Sequence, residues 1–414
     1  MKAVVWHDIG DIRLDNVPEP KLKDPTDAIV RLTASAICGT DLHFVRGTMP
    51  GMKAGTILGH EGVGVVEEVG KNVRNLSPGD RVVIPSTIAC GHCSYCRSGY
   101  QAQCDEANPN GREAGTAFYG GPANTGPFDG LQAEYARVPY ANTGLVKLGE
   151  AVTDDEAILI SDIFPTGYFG AEMAEIEPGD TVCVFGCGPV GMFAILSAQL
   201  MDAGRVLAVD CVPDRLAKAR DRGAEVINFN EEDPVQAIKE LTGGIGVDRA
   251  IDAVGVDAEP PTAGPAKAAA DKLAQEFRLE VRKAAPNANP DADRSKGEWE
   301  PGQAPSQVLR WAVEGLAKAG TLSIIGVYPP TAMVFPIGQA MNKNLTMNMG
   351  NCHHRHYIPR LVEIVQAGRV RPTDVLTVEE ELTDAISAYK QFDERKAGWM
   401  KVELDPAKSS RRVS

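Results

Sequence analysis

Thr181-Val182-Cys183-Val184-Phe185-Gly186-Cys187-Gly188-Pro189-Val190-Gly191 carries an apolar strand into a glycine-rich turn, and a helical run over 192–201 follows it. The G-x-G-x-x-G spacing alone is weak, but here it follows a strand and opens a helix. The next strand closes on Asp210, nineteen residues past Gly191. Gly186 permits the tight turn, Gly188 lets backbone N–H groups approach a pyrophosphate, and Gly191 lets the helix pack closely. Pro189 and Val190 complete the loop, and the helix N-terminus favours the anion. Asp210 can accept hydrogen bonds from ribose hydroxyls but would repel a 2′-phosphate, so the expected cofactor is NAD rather than NADP. Arg215, close by, is read as lying against the adenine or pairing with a carboxylate. Val327, at the end of a later strand, is counted with the cofactor contacts.

Outward from this stretch, apolar strands at 205–209, 224–229, 248–254 and 321–327 alternate with helical segments. Such alternation predicts a parallel sheet covered by helices on both faces, a Rossmann-type domain over 156–339. A segment over 257–306, rich in Ala, Pro, Asp, Glu and Lys, interrupts the rhythm. Its middle, 266–283, has helix-forming composition, and the whole is read as a solvated surface insertion rather than a functional lid. Residues 1–155 read instead as short strands punctuated by Gly, Pro and Asp, a β-rich domain that the segment 340–414 rejoins. The fold class is α/β, and 414 residues fit two cores better than one.

Cys90, Cys93, Cys96 and Cys104 follow C-x2-C-x2-C-x7-C spacing, which lets four thiolates close around one zinc ion. A closed four-thiolate site is structural, so the chemistry is expected elsewhere. The other five cysteines show no paired framework of the secreted kind. A formal charge of -14 argues against nucleic acid or an anionic membrane surface as partner. With neither an apolar signal core nor a spanning run, the expected setting is cytoplasmic and the expected partner a small molecule.

Further metal-ligand candidates stand in Cys38-Gly39-Thr40-Asp41-Leu42-His43, in Gly59-His60-Glu61 and in Ser161-Asp162-Ile163-Phe164-Pro165-Thr166-Gly167-Tyr168. Taken singly, Cys38 could be a buried hydrophobe and Asp162 a helix cap. With the glycine loop and the four-cysteine run, these motifs resemble the zinc-dependent alcohol dehydrogenases of the medium-chain dehydrogenase/reductase superfamily, over nearly all of the chain except 257–306. The resemblance implies a GroES-like first domain, a catalytic zinc on Cys38 and His60, and therefore two zinc ions per chain. Better-known members carry cysteine four residues before Thr-Gly-Tyr, where this chain has Asp162. That departure resembles the glutathione-independent formaldehyde dehydrogenases and dismutases, in which the aspartate is a ligand. A carboxylate in place of a thiolate donates less charge, so the metal should be the stronger Lewis acid.

The resemblance further implies that Thr40 hydrogen-bonds the substrate oxygen and that a proton passes by way of the cofactor ribose to His43, whose ordinary pKa suits relay near neutrality. The alternative for His43 is a solvent-facing loop histidine. Glu61 is either a transient fourth ligand or an electrostatic neighbour, and Asp41 a candidate acceptor for the ring N–H of His60. Thr166 is implied at the nicotinamide, and Arg355 at the pyrophosphate. The histidine-rich run 353–356 is read as part of the cofactor loop rather than a third metal site. The expected activity is hydride transfer between an alcohol or aldehyde hydrate and nicotinamide, with formaldehyde favoured. Alternatives are a formaldehyde dismutase with trapped NAD, a dehydrogenase of larger primary alcohols, and a non-catalytic NAD(H)-binding sensor. Phe169 stands where the formaldehyde enzymes carry histidine, which weighs against a narrow formaldehyde site. Homo-oligomerisation is implied by the same resemblance.

Overall fold

The apolar strands at the centre of the chain pair side by side into one six-stranded parallel sheet in a computed structural model that describes residues 1–289 and 292–407. From one edge the strands are Glu225–Asn228, Arg205–Asp210, Thr181–Phe185, Val247–Asp252, Leu316–Ile324 and Thr346–Met349. The order reverses direction at Thr181–Phe185, so a crevice opens at its carboxyl end, where the glycine turn begins. Val182, Cys183, Val184 and Phe185 are all buried, as a strand covered by helices on both faces requires. The sixth strand lies beyond residue 339, where the sequence reading ended this domain, so that boundary moves past Met349. Its sequence, Thr-Met-Asn-Met, is half exposed at a sheet edge and lacks the apolar signature of the inner strands.

The β-rich part is built on a second sheet in which Ala28–Ile37 is central. It pairs with Gly62–Val69, Tyr135–Val138 and Val402–Asp405, and Arg81–Ile84 extends the sheet beyond Gly62–Val69. Val402–Asp405 brings the chain's C-terminal part back to this first domain; residues 408–414 of the range 340–414 lie outside the described residues. A smaller three-stranded sheet joins Lys2–Asp8, Asp11–Asn16 and Thr56–Ile57. Among the described residues no helix is long and apolar enough to cross a membrane.

The insertion contains the helix Gly264–Ala284, close to the helix-forming stretch read from composition, while residues 290–291 lie outside the described part. Its reading as a solvated surface segment is corrected at its two ends. Asp257 is buried and ion-paired with Arg46, and Trp299 packs into the apolar cluster of Trp6, Leu42 and Phe44 in the first domain. Arg294 meets Glu259 at 3.1 Å and Asp393 at 3.6 Å. Polar composition concealed these anchors because they are charge pairs and a lone tryptophan rather than a periodic apolar face.

Candidate active site

Cys38 follows the long strand Ala28–Ile37 and caps the helix Gly39–Arg46, while His60 stands two residues before the strand Gly62–Val69. Asp162 interrupts two helices, Asp154–Ser161 and Ile163–Met173, and its non-helical backbone (φ -144°, ψ -65°) breaks the run between them. The first of these helices is fixed by a capping box between Thr153 and Glu156 and packs on the β-rich sheet. Three elements thus bring one ligand atom each from Cys38, His60 and Asp162 within 4.8 Å of one another, all buried.

The donor set fits a zinc ion. His60 Nε2 lies 3.0 Å and Cys38 Sγ 3.9 Å from Asp162 Oδ2, bracketing the spacing of about 3.3–3.6 Å that tetrahedral ligands of one zinc keep. Both ring nitrogens of His60 are buried, and neither meets its neighbouring carboxylate in hydrogen-bond geometry. Burial, reinforced by the Glu61 carboxylate, pushes the Cys38 thiol up, so a thiolate here calls for a cation. Burial also opposes a charged Asp162, yet His354 and His60 hold its carboxyl well below the usual range. Asp41 Oδ1 sits 3.2 Å from His60 Nδ1 and its Oδ2 accepts from the Cys38 backbone N–H. Glu61 lies beside the centre, fully buried and paired with Lys401, whose ammonium also donates to the Ile37 carbonyl.

The four-cysteine loop meets the same test more tightly. Cys90 Sγ and Cys96 Sγ are 3.9 Å apart, as are Cys93 Sγ and Cys104 Sγ, close to the edge of about 3.8 Å for a tetrahedron with zinc–sulfur bonds of ~2.3 Å. Backbone N–H groups of Cys90, His92, Cys93 and Cys96 point at these sulfurs.

From the three-ligand centre a single cavity of about 320 Å³ continues to the glycine turn. Cys38, Thr40, His43, His60, Asp162 and Thr166 line one end and Gly186, Gly188, Pro189, Val190, Asp210 and Arg215 the other, and Val327 is also on the wall. Gly186 adopts φ +90°, and a Cβ on Gly191 would lie 1.8 Å from the Gly186 carbonyl, so the turn closes only over glycine. Asp210 is held rigid: its carboxylate accepts from the N–H groups of Cys187, Cys211 and Val212 at 2.7, 2.7 and 2.9 Å. The Arg215 guanidinium reaches over the turn, 3.7 Å from where a Cβ of Gly188 would be.

Three of the residues read from the sequence stand apart from the cavity wall. Gly191 packs the helix, Glu61 sits behind His60, and Arg355 is half-buried with its Nε lacking a partner. Phe169 also lies outside the wall, against His353 and Tyr357, so its departure from histidine does not touch the space for substrate. His43 is buried rather than solvent-facing. The histidine run divides its work: His353 accepts from the Ala102 N–H, while His354 Nε2 donates to Asp162 Oδ1 at 2.7 Å. Thr166 Oγ1 donates to the same oxygen at 2.8 Å, and Thr87 Oγ1 meets His354 Nδ1 at 3.2 Å. Sequence reasoning missed His354, Lys401 and Asp257 as parts of the site; His354 stood in the histidine run and Asp257 at the start of the insertion, both already singled out, while nothing pointed to Lys401.

Two family descriptions match, the alcohol dehydrogenase GroES-like domain over residues 24–150 and the zinc-binding dehydrogenase over 189–263. A zinc-type alcohol dehydrogenase-like protein of Bacillus subtilis, AdhB, is 37% identical over 410 residues, covering 98% of this chain and all of that one. The chain belongs to the zinc-type alcohol dehydrogenases. This zinc-type alcohol dehydrogenase is also 34% identical over 405 residues to a glutathione-independent formaldehyde dehydrogenase of Pseudomonas aeruginosa, covering 95% of this chain and 94% of the relative. Among solved structures, an alcohol dehydrogenase of Thermus sp. ATN1 superposes with a TM-score of 0.77 at 32% identity, covering 98% of this chain and 99% of the other. As a zinc-type alcohol dehydrogenase the chain is an oxidoreductase with a GroES-like and a Rossmann-like domain.

Proposed function

We propose that this enzyme passes hydride between NAD and a small primary alcohol or aldehyde hydrate, with formaldehyde hydrate the favoured substrate, and that it carries a catalytic and a structural zinc. The observation that carries the reading is one continuous cavity with Cys38, His60 and Asp162 at one end and the clamped Asp210 carboxylate at the other. When bound, zinc supplies a Lewis acid for the substrate oxygen and NAD an acceptor for the hydride. Thr40, on the cavity wall, takes the hydrogen bond of the substrate hydroxyl, and His43 takes the proton onward. Asp210 selects NAD by receiving the ribose hydroxyls and repelling a 2′-phosphate. Arg215 lies over the pyrophosphate turn, and Thr166 and Val327 flank the nicotinamide end. Lys401 neutralises Glu61 and keeps that carboxylate an electrostatic neighbour of the metal site.

A second reading, dismutation on retained NAD, is favoured by one observation. Glu259 of the insertion meets Arg395 at 3.3 Å, and both residues line the cavity, so a charge pair spans the cleft. The two are separated by mixing zinc-loaded protein and NAD with formaldehyde, without glutathione, beside ethanol, 1-butanol and benzyl alcohol, and reading absorbance at the NADH band. NADH formed fastest with formaldehyde supports the dehydrogenase, and methanol and formate produced together without free NADH support dismutation. Activity confined to the larger alcohols removes formaldehyde from the assignment, and zinc analysis should return two ions per chain.

A further inference from the structure

The buried charges around His43 are organised from outside its own domain. His43 Nδ1 lies 2.9 Å from Asp257 Oδ2 and 3.0 Å from Thr48 Oγ1. Asp257 is the first residue of the insertion and sits on the 3-10 turn Gly255–Asp257 that follows the fourth strand of the parallel sheet. Arg46, one turn along from His43 on the same helix, donates to Asp257 Oδ2 at 2.8 Å and to Asp393. Asp257 Oδ1 accepts from the Gly302 N–H at 3.0 Å. A Cβ at residue 302 would lie 2.2 Å from the Asp257 backbone carbonyl carbon, so the insertion's returning segment packs directly on the Asp257 backbone. Burial opposes a charged Asp257, yet Arg46 and His43 hold its carboxyl far below the usual range, so it is an anion wherever the enzyme works. Asp257 and Arg46 are the charged groups next to His43, with Asp393 and Arg294 behind them.

We propose that Asp257 is a positioning residue for the proton relay: it keeps the proton of neutral His43 on Nδ1 and so leaves Nε2 as the nitrogen that accepts the substrate's proton. This rests on the relay role given to His43 above. In the forward direction the alcohol loses hydride to NAD and its hydroxyl proton to His43 Nε2, and the imidazolium then returns that proton to solvent base. A carboxylate against Nδ1 fixes the tautomer and steadies the imidazolium, as an orienting carboxylate does for a base histidine elsewhere. The insertion thereby supplies a group that the reaction uses.

The test compares wild type, Asp257→Asn, His43→Gln and the double variant over pH 6 to 10, using the fastest alcohol of the panel with NAD. Asparagine cannot serve Gly302, Arg46 and His43 together, because one face of its amide is a donor. Both single variants should lose about tenfold or more in kcat at pH 7, with KM changed little. The loss should shrink toward pH 10, where solvent base takes the proton directly, and the double variant should be no slower than either single one. A wild-type profile in Asp257→Asn beside a loss in His43→Gln overturns the inference and leaves the relay standing. No loss in His43→Gln removes the relay and the inference with it, and an Asp257→Asn loss equal at every pH assigns the carboxylate to structure alone. Because Asp257→Asn could fail to fold, nitrogen-15 spectra of histidine-labelled wild-type enzyme provide a second measure, with His43→Gln identifying the resonance. A Nδ1-protonated neutral ring supports the proposal and a Nε2-protonated one overturns it.

Discussion

Asp162 faces two ways, with Oδ2 toward Cys38 and His60 and Oδ1 toward His354 and Thr166. Outer partners of this kind hold a ligand's orientation, and their loss typically weakens metal binding by about 10–100-fold. His354→Gln should therefore release one zinc to a colorimetric chelator at least about tenfold faster while the four-cysteine zinc leaves at its wild-type rate. Equal release of both ions would mean that His354 has no such part. Lys401 and Glu61 form a pair with neither side chain exposed, so Lys401→Met strands a buried carboxylate and should cost about 3–5 kcal/mol in denaturant unfolding. Adding Glu61→Gln should recover much of that. The four-cysteine run was legible from its spacing alone, whereas Cys38, His60 and Asp162 became candidates through the resemblance, since singly a cysteine reads as a buried hydrophobe and an aspartate as a cap. Lys401 was not, since its partner lies 340 residues away and no local pattern announces it.

Elements carry two further expectations. The cysteine loop has little regular structure beyond the short turns Ser94–Arg97 and Gln101–Gln103, so its shape depends on what the thiolates hold. Cys96→Ser should yield protein with one zinc fewer and a melting temperature lower by about 5 °C or more in calorimetry. In Val402–Asp405, Glu403 is buried, and burial first, then Asp155, Glu379, Asp154 and Asp405, pushes its carboxyl from 4.5 up to about 8. The folded state then holds a proton that the unfolded chain has released, so stability falls as pH rises from 4.5 toward 8. Glu403→Gln should flatten that slope and leave the variant a few degrees more stable than wild type at pH 8, read from thermal melts across the range. Helix Gly264–Ala284 was readable from its helix-forming composition, and the strand that enters the glycine turn from its apolar run. Strand Thr346–Met349 was not, because an edge strand needs only one buried face and this one alternates methionine with polar residues.

For the whole molecule, the alternation of strands and helices announced the parallel sheet, and short strands punctuated by Gly, Pro and Asp announced the β-rich partner, whose GroES-like type the resemblance supplied; the way the two meet was hidden. Their contact runs through charges such as Arg222 with Asp374 and the Gly398 N–H with Asp214, which leave no periodic trace. The short helix Ile337–Asn342, which leads into the edge strand Thr346–Met349, leaves Met341 and Ile337 77% and 64% exposed, and Met333 and Met349 on either side of it in sequence are exposed as well. An exposed apolar stretch of this kind is a place for a second copy, so Met341→Asp with Ile337→Asp should lower the mass found by light scattering, and an unchanged mass would locate any assembly elsewhere. The insertion leaves and rejoins the body at nearly one point, where Gly302 donates to Asp257 and Ala304 donates to the Ala258 carbonyl. A loop pinched at its base behaves as a graft: most of what lies between can lengthen, shorten or be exchanged without reshaping the sheet that bears it. Evolution could thus remodel the roof of this cleft while the carboxylate at its root stays in place.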